Sequence, residues 1–296
     1  MDLHHGLSEN TGAKPMIAPK TRKRFQIGLI HLLLGLWLVI SLLPPVMLIA
    51  ASLNTKALFR SPWDLLLLKD FSLENYSTAF VSGEFWFFFT NSVIISTASV
   101  VIVLIICVPM AYGLSKISGR ARNVVAFGVL AMRFIPYVVL ALPMFLLFVD
   151  LGLAGSRLGL LLAHLAIHIP FATWMLVGFF DTVPNELEES GIVDGCSAWN
   201  LFWNVTLPVV RSGVIALAIL VFIMSWNEYL FALFLAGSNA QPLTVGVTRF
   251  LGGIESGAQH GVVAAYSVLV ITPVIVFSLI ANRFIVSGMT AGAVKG

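Results

Sequence analysis

The sequence predicts an all-α integral membrane protein, with six transmembrane helices and one polar helix–turn–helix insert. Three observations predict it. Of 296 residues, 58% are hydrophobic and only 10% are charged, against about a quarter charged in a soluble domain. The apolar residues gather into long, nearly uncharged runs. One stretch, Pro184 to Pro208 (PNELEESGIVDGCSAWNLFWNVTLP), interrupts them with acids, turn residues and spaced aromatics.

The six runs are Ile27–Ala51, Asn91–Leu114, Val124–Val149, Leu158–Phe180, Gly213–Ala236 and Val262–Ala281. Each reaches the ~20 residues that a helix needs to cross the hydrocarbon. A helix satisfies all its backbone polar groups internally, which lipid demands. Basic residues before the first run and after a retained, uncleaved first span set the expected sidedness. Lys20, Arg22, Lys23, Arg24, Lys116, Arg120, Arg122, Arg211, Arg283 and Lys295 flank one side. Lys56, Arg60, Lys69, Arg157 and Arg249 flank the other, sparser side. Both termini and the 181–212 insert are therefore expected in the cytoplasm, on a multi-pass membrane protein. The expected division is an N-terminal tail, 1–25, a six-helix body, 26–283, and a C-terminal tail, 284–296, with the first ~20 residues read as flexible.

The net charge of +3 is modest and the basic residues are dispersed, which excludes a nucleic-acid binder. Cys107 and Cys196 lie in unlike surroundings and are expected to be free thiols. The largest outer loop, about 53–83, carries Trp63, Phe71, Tyr76 and Phe80. They suit interfacial anchoring or docking of an outer partner.

Within the insert, Asn185 and Glu188 have the spacing of a variant capping box after Pro184. Glu186, Glu188 and Glu189 sit where the positive end of a helix dipole favours acids. Asp194-Gly195 predicts a stop, with Gly195 left-handed, and Ser197 predicts the next cap. Trp199, Phe202 and Trp203 fall on one helical face, and Pro208 is expected to end that helix. Such a hairpin either lies on lipid or docks a cytosolic protein. The acids disfavour the first, because the inner leaflet is negative.

Glu189-Ser190-Gly191, three residues, Gly195, nine residues, then Val205-x-Leu207-Pro208 resembles the signature loop of ABC-importer permeases. Ser190, Gly191, Val205 and Ser212 depart from that pattern. Gly191 in place of alanine weakens a helix by up to ~1 kcal/mol. The stretches FSLENY (71–76), Asn91-Ser92, AYGLSK (111–116), SWNEYL (225–230) and SGMTAGAVKG (287–296) also resemble this family. Together they are similar to the carbohydrate-uptake branch, of maltose and glycerol-phosphate type, and within it to MalG-like permease subunits. The resemblance implies an importer with a second permease subunit, two cytosolic ABC ATPase subunits and an extracytoplasmic sugar-binding protein. It implies that the insert holds the coupling helices, at Glu186, Glu188, Glu189, Asp194, Gly195, Trp199, Phe202, Leu207 and Pro208. This chain has no G-x-x-x-x-G-K-[ST] motif, so ATP and Mg belong to the partner and no cofactor is expected here.

Four polar or amphipathic residues inside the apolar runs are candidates for the translocation path: Arg133, Trp226, Asn227 and Glu228. An intramembrane charge by default suggests a path or a partner. Glu228 either faces the path or a subunit seam, or is hydrogen-bonded within the bundle. Counting from the span ends puts Arg133 ~13 Å and Glu228 ~22 Å deep, so a direct pair needs a bend, for which Pro136 is placed. Arg133 would suit an anionic sugar. His164 and His168 are four apart and suit bundle hydrogen bonds or a place on the path better than zinc, since the H-E-x-x-H pattern is absent. The rival readings are a self-contained secondary transporter, which lacks visible repeated halves, and a membrane enzyme, which lacks a convergent catalytic set.

Overall fold

The computed structural model describes residues 19–55, 61–67, 69–81, 83–251 and 260–293. The predicted N-terminal tail up to residue 18, and Lys56, Arg60 and Lys295 among the sidedness residues, lie outside them. Among the described residues the chain is helical apart from turns and one isolated bridge, Asn54 to Phe71. Two units are distinct along the chain, 1–47 and 48–296. The first holds most of helix α1 (Pro19–Ser52), whose residues from Leu32 to Leu43 are exposed and mostly apolar.

The second unit continues through α2 (Pro62–Leu66), α3 (Glu74–Val81) and α4 (Glu84–Lys116). After α5 (Arg120–Ala131) come a single tight turn, Met132–Phe134, and α6 (Tyr137–Asp150). Next is α7 (Arg157–Phe180), then the hairpin helices α8 (Asn185–Val193) and α9 (Ala198–Leu201). The chain ends through α10 (Leu207–Trp226), α11 (Leu230–Leu235), α12 (Leu243–Leu251) and α13 (His260–Ala293). Among the described residues five helices are long and apolar enough to cross a membrane, or six if one broken pair is a single span.

Two predicted spans are corrected. The third, Val124–Val149, is not one helix: Val124–Phe134 and Tyr137–Asp150 meet at 88°. Pro136 has no N–H and pushes its predecessor to extended backbone, and Ile135 has ψ 121°. The fifth, Gly213–Ala236, starts earlier and stops earlier. An apolar helix runs from Ala198 to Trp226, and α11 follows only after the break at Asn227–Tyr229.

The core is built on α4, α7 and α10. Lipid offers apolar side chains nothing less favourable than a helix neighbour does, so close backbone approach and packing hold such helices together. Ala111, Ala172, Leu176, Leu217 and Val221 are wholly buried there. At Gly213 a Cβ would sit 2.4 Å from the Phe179 ring, so α7 and α10 touch at that point. Cys107 is buried in this core and both cysteines are free, as expected.

At the end of the bundle away from the hairpin, side chains clamp the loops. Asn91 Nδ2 donates to the Gln241 carbonyl (2.9 Å), and Arg157 Nε donates to Asn91 Oδ1 (2.7 Å). Ser92 Oγ accepts from the Leu243 N–H at 2.7 Å. The Asn91-Ser92 pair thus secures the α11–α12 loop. Asn75 Nδ2 bridges the carbonyls of Ser52 (3.0 Å) and Asn54 (3.1 Å), which fixes α3 of the FSLENY stretch.

Gly155 and Gly237 meet backbone to backbone. Gly155 N–H donates to the Leu235 carbonyl (3.0 Å). A Cβ on Gly237 would lie 2.6 Å from Gly155 Cα, on a residue with φ +50°. Gly237→Ala should therefore cost about 3 kcal/mol, from left-handed strain plus overpacking that backbone cannot relieve. Gly152→Ala, at φ +67° with open space around it, should cost only about 1–2 kcal/mol. Thermal unfolding of the two variants in detergent checks the difference.

Candidate functional site

The hairpin after α7 is the part that membrane packing does not require. Its first helix has Pro184 as cap, with no side-chain cap bond, and Asn185 is already helical. The expected Asn185–Glu188 capping box is therefore not formed. Proline presets the helical φ and has no N–H to satisfy, which suits a helix entry without a capping side chain. The stop is as expected and complete. Cys196 N–H donates to the Gly191 carbonyl and Gly195 N–H to the Ile192 carbonyl, both at 3.0 Å. That is the paired-bond helix stop with a left-handed residue, here Gly195 at φ +81°. Ser197 Oγ then accepts from the Asn200 N–H (3.3 Å), opening α9 as expected.

Glu188 is turned inward. It is buried, ion-paired to Lys116 at the end of α4, and accepts from Thr206 Oγ1 at 2.8 Å. Lys116 also lies over the Tyr112 ring, 5.1 Å from its centroid. Tyr112 packs in turn on Phe180 (5.6 Å) and Phe202 (4.9 Å). The AYGLSK stretch is thus a bracket for the hairpin. Arg122 and Asp181 form a second ion pair across its base. Gly191 lets the two hairpin helices touch, since a Cβ there would meet Leu201 Cδ1 at 2.6 Å.

The predicted aromatic ridge divides. Trp199 (70%) and Trp203 (47%) are exposed, but Phe202 is only 6% exposed and belongs to the core. Three exposed apolar residues of α8, Leu187, Ile192 and Val193, were not anticipated. The signal for them was that Glu188 and Gly191 share one face, which leaves these apolar neighbours to point elsewhere. With Glu186, Glu189 and Asp194, also exposed, they make a mixed acidic and apolar outer surface.

Pro208 does not end the second helix, contrary to expectation. Residues Phe202–Thr206 form a π turn, in which Leu207 N–H reaches the Phe202 carbonyl. The wider turn makes room for Pro208, which lacks an N–H, at the start of α10. Leu207 and Pro208 therefore join the hairpin to α10 as one continuous helix, rather than separating them.

Inside the bundle the four path candidates have different surroundings. Trp226 is buried and its Nε1 donates to the Val270 carbonyl (3.0 Å), tying α10 to α13. Asn227 caps α10, its Nδ2 returning to the Ile223 carbonyl at 2.9 Å. Glu228 is not midway along a helix. Its Oε1 accepts from Phe231 N–H (2.9 Å) and its Oε2 from Ala232 N–H (3.0 Å), so it caps α11. His164 Nε2 stands 3.5 Å from Glu228 Oε2, and His164 Nδ1 is 2.7 Å from Ser225 Oγ. Arg133 is not brought to Glu228; its guanidinium lies 4.5 Å over the Phe171 ring. Of the histidine pair, His164 is bundle-bonded as expected, whereas His168 Nδ1 has no partner among the described residues.

The family model described as "Binding-protein-dependent transport system inner membrane component" matches residues 106–287. A sulfoquinovosyl glycerol transport system permease of Agrobacterium fabrum is 31% identical over 260 residues, covering 88% of this chain and 90% of that one. A trehalose transport system permease of Mycobacterium tuberculosis is 30% identical over 257 residues, covering 86% and 93%. Among solved structures, a chain of a bacterial ABC transporter that imports the acidic polysaccharide alginate superposes with a TM-score of 0.73. It is 24% identical, with 91% of this chain and 99% of that chain covered. That last likeness shows the fold. Hairpin spacing, helix arrangement and family match converge: the chain belongs to the binding-protein-dependent inner-membrane transport components, and is a permease subunit of an ATP-driven ABC importer, a transport subunit and not an enzyme.

Proposed function

We propose that this permease passes a sugar or sugar derivative across the bacterial cytoplasmic membrane, and that its hairpin is where a separate ATPase pushes. One observation carries the reading. The hairpin offers an exposed acidic and apolar surface, while its inner face is fastened to α4 by Glu188 and continues into α10 through the π turn. A contact made on that surface acts on two membrane helices at once. Glu186, Glu189, Asp194, Gly195 and Trp199, with Ile192 and Val193, form the contact. Glu188 and Phe202 stiffen it from within, and Leu207 and Pro208 transmit it. The complete importer pairs this chain with a second permease subunit, two cytosolic ATPases that bind ATP and Mg, and an extracytoplasmic binding protein that delivers the sugar. Both termini and the hairpin face the cytoplasm. Sugars enter the proposal because relatives over nine-tenths of their length are named for sugar transport.

The test is uptake into proteoliposomes holding both permeases and the ATPases, with the binding protein outside. ATP-dependent sugar uptake is expected, and transport that persists without the ATPase subunits would sink the reading. Gly195→Asp is the sharper probe of the contact. Its φ of +81° costs an aspartate about 1–2 kcal/mol, and nothing in the chain lies within 4 Å of the added Cβ. The variant should fold and insert, yet recover less ATPase in pull-down and lower uptake severalfold. Unchanged recovery and uptake would remove Gly195 from the contact.

A further inference from the structure

We propose that Arg133 is an anion-recognition site for the transported molecule, which makes the substrate an acidic saccharide. The inference deepens the sugar-import reading and rests on it. Arg133 sits at the 88° break between α5 and α6. Its Nη1 is buried and has no hydrogen-bond partner among the described residues. Its plane is held by Phe171, 4.5 Å away. Among the described residues Glu228 is not its partner: that carboxylate accepts from the Phe231 and Ala232 N–H groups of α11.

A guanidinium is always charged, and a charge within a membrane span is found paired or facing a water-filled path. Arg133 is ~13 Å, nine residues, inside the apolar run that begins at Val124, below the depth of lipid headgroups. Beside it is a cavity of about 220 Å³, lined by Arg133, Tyr137, Leu140, Met144, Ile167 and Pro170 among others. Complete ligand pockets are usually ~300–1,000 Å³. This one therefore takes one acidic unit, as one wall of a path completed by the second permease. The planar fork matches a carboxylate, sulfonate or phosphate, and Tyr137 adds an aromatic face and a hydroxyl. Proline at 136 supports this service, because the broken helix turns Arg133 off the regular ladder and holds it beside the cavity.

Two measurements on the reconstituted full importer test it. In a Cys196→Ser background, Met144→Cys is labelled with an anionic sulfonatoethyl or a cationic trimethylammonioethyl methanethiosulfonate. The anionic reagent should react about tenfold faster beside a fixed positive charge, and Arg133→Gln should abolish the preference. No labelling during turnover, or a preference indifferent to Arg133, overturns the proposal. Uptake is then compared for digalacturonate, glucose 6-phosphate and 6-sulfoglucose against maltose and trehalose. Arg133→Gln should lower acidic-sugar uptake by about 10–100-fold, as loss of a charge-assisted bond does, with Arg133→Lys intermediate. Uptake confined to the neutral sugars overturns the proposal. So does loss of the second permease from Arg133→Gln complexes while uptake per intact complex holds, which would make Arg133 a subunit contact. If none of the sugars is taken up with ATP, the sugar-import reading fails, and the labelling ratio still decides the role of Arg133.

Discussion

Glu188→Ala is expected to release the hairpin from the bundle. Removing one partner of a buried ion pair costs about 3–5 kcal/mol. Here Lys116 retains 38% of its side-chain exposure and can rehydrate, so about 2 kcal/mol is expected. Thr206 loses the acceptor for its buried hydroxyl as well. Glu188→Gln keeps that acceptor and should cost about 1 kcal/mol, the worth of one ordinary bond. In limited proteolysis, the 185–206 segment of the alanine variant should be cut several times faster while the membrane helices stay intact. The double variant with Lys116→Ala should cost less than the sum of the two singles, because the pair is direct. Additive costs would mean that the bridge contributes nothing. With the hairpin loosened, ATP hydrolysis should continue but carry less sugar per ATP.

The second large effect is at Glu228. Its carboxylate satisfies two N–H groups at the start of α11, on the buried residues Phe231 and Ala232. Glu228→Leu leaves both unpaired, at about 1–3 kcal/mol each. The expected loss is roughly 2–4 kcal/mol, because α11 can refold its first turn in part. Glu228→Gln offers one acceptor oxygen and should lose about half as much. Amide exchange at Phe231 and Ala232 reads the site directly: it should quicken by at least tenfold in the leucine variant, while α4 and α7 amides stay protected. Equal protection would show that α11 does not depend on this cap. A residue whose only duty was to line a path would leave those amides unmoved.

The hairpin was legible because its signals are local. Asp194-Gly195 and Ser197 act within a few residues of themselves, and the stop and restart formed where the sequence placed them. Glu188 was misread as a cap partner because the residue it seeks, Lys116, lies 72 positions away. Phe202 shares its helical stripe with two exposed tryptophans and is buried in a cluster with Tyr112, Phe180 and Val210, which lie elsewhere in the sequence. The Pro208 stop failed for a related reason. A proline rule assumes a regular ladder, and one widened turn before it removes the clash. In the membrane, charge singled out residues without disclosing their surroundings. Glu228 stood out as an intramembrane acid, but a single sequence does not say that α10 ends two residues earlier. Pro136 marked a place for a bend, but one proline does not say that the two helices meet at 88° or that α6 packs on α11. The side chains of the SGMTAGAVKG ending lie outside the described residues, and α13 is helical through Ala293.

The π turn has a mechanical consequence. From Ala198 to Trp226 the helix counts 29 residues, about 43 Å of nearly stiff rod. On the proposed coupling, Trp226, bonded to α13, would be the pivot of that rod and the hairpin its handle. A tilt of about 10° sweeps the handle through ~7 Å, by simple proportion to that length. The compliant point is not a loop but the single over-wide turn, next to the handle. Torque applied at the hairpin by a partner would then strain that one turn first, and past that limit turn the whole rod.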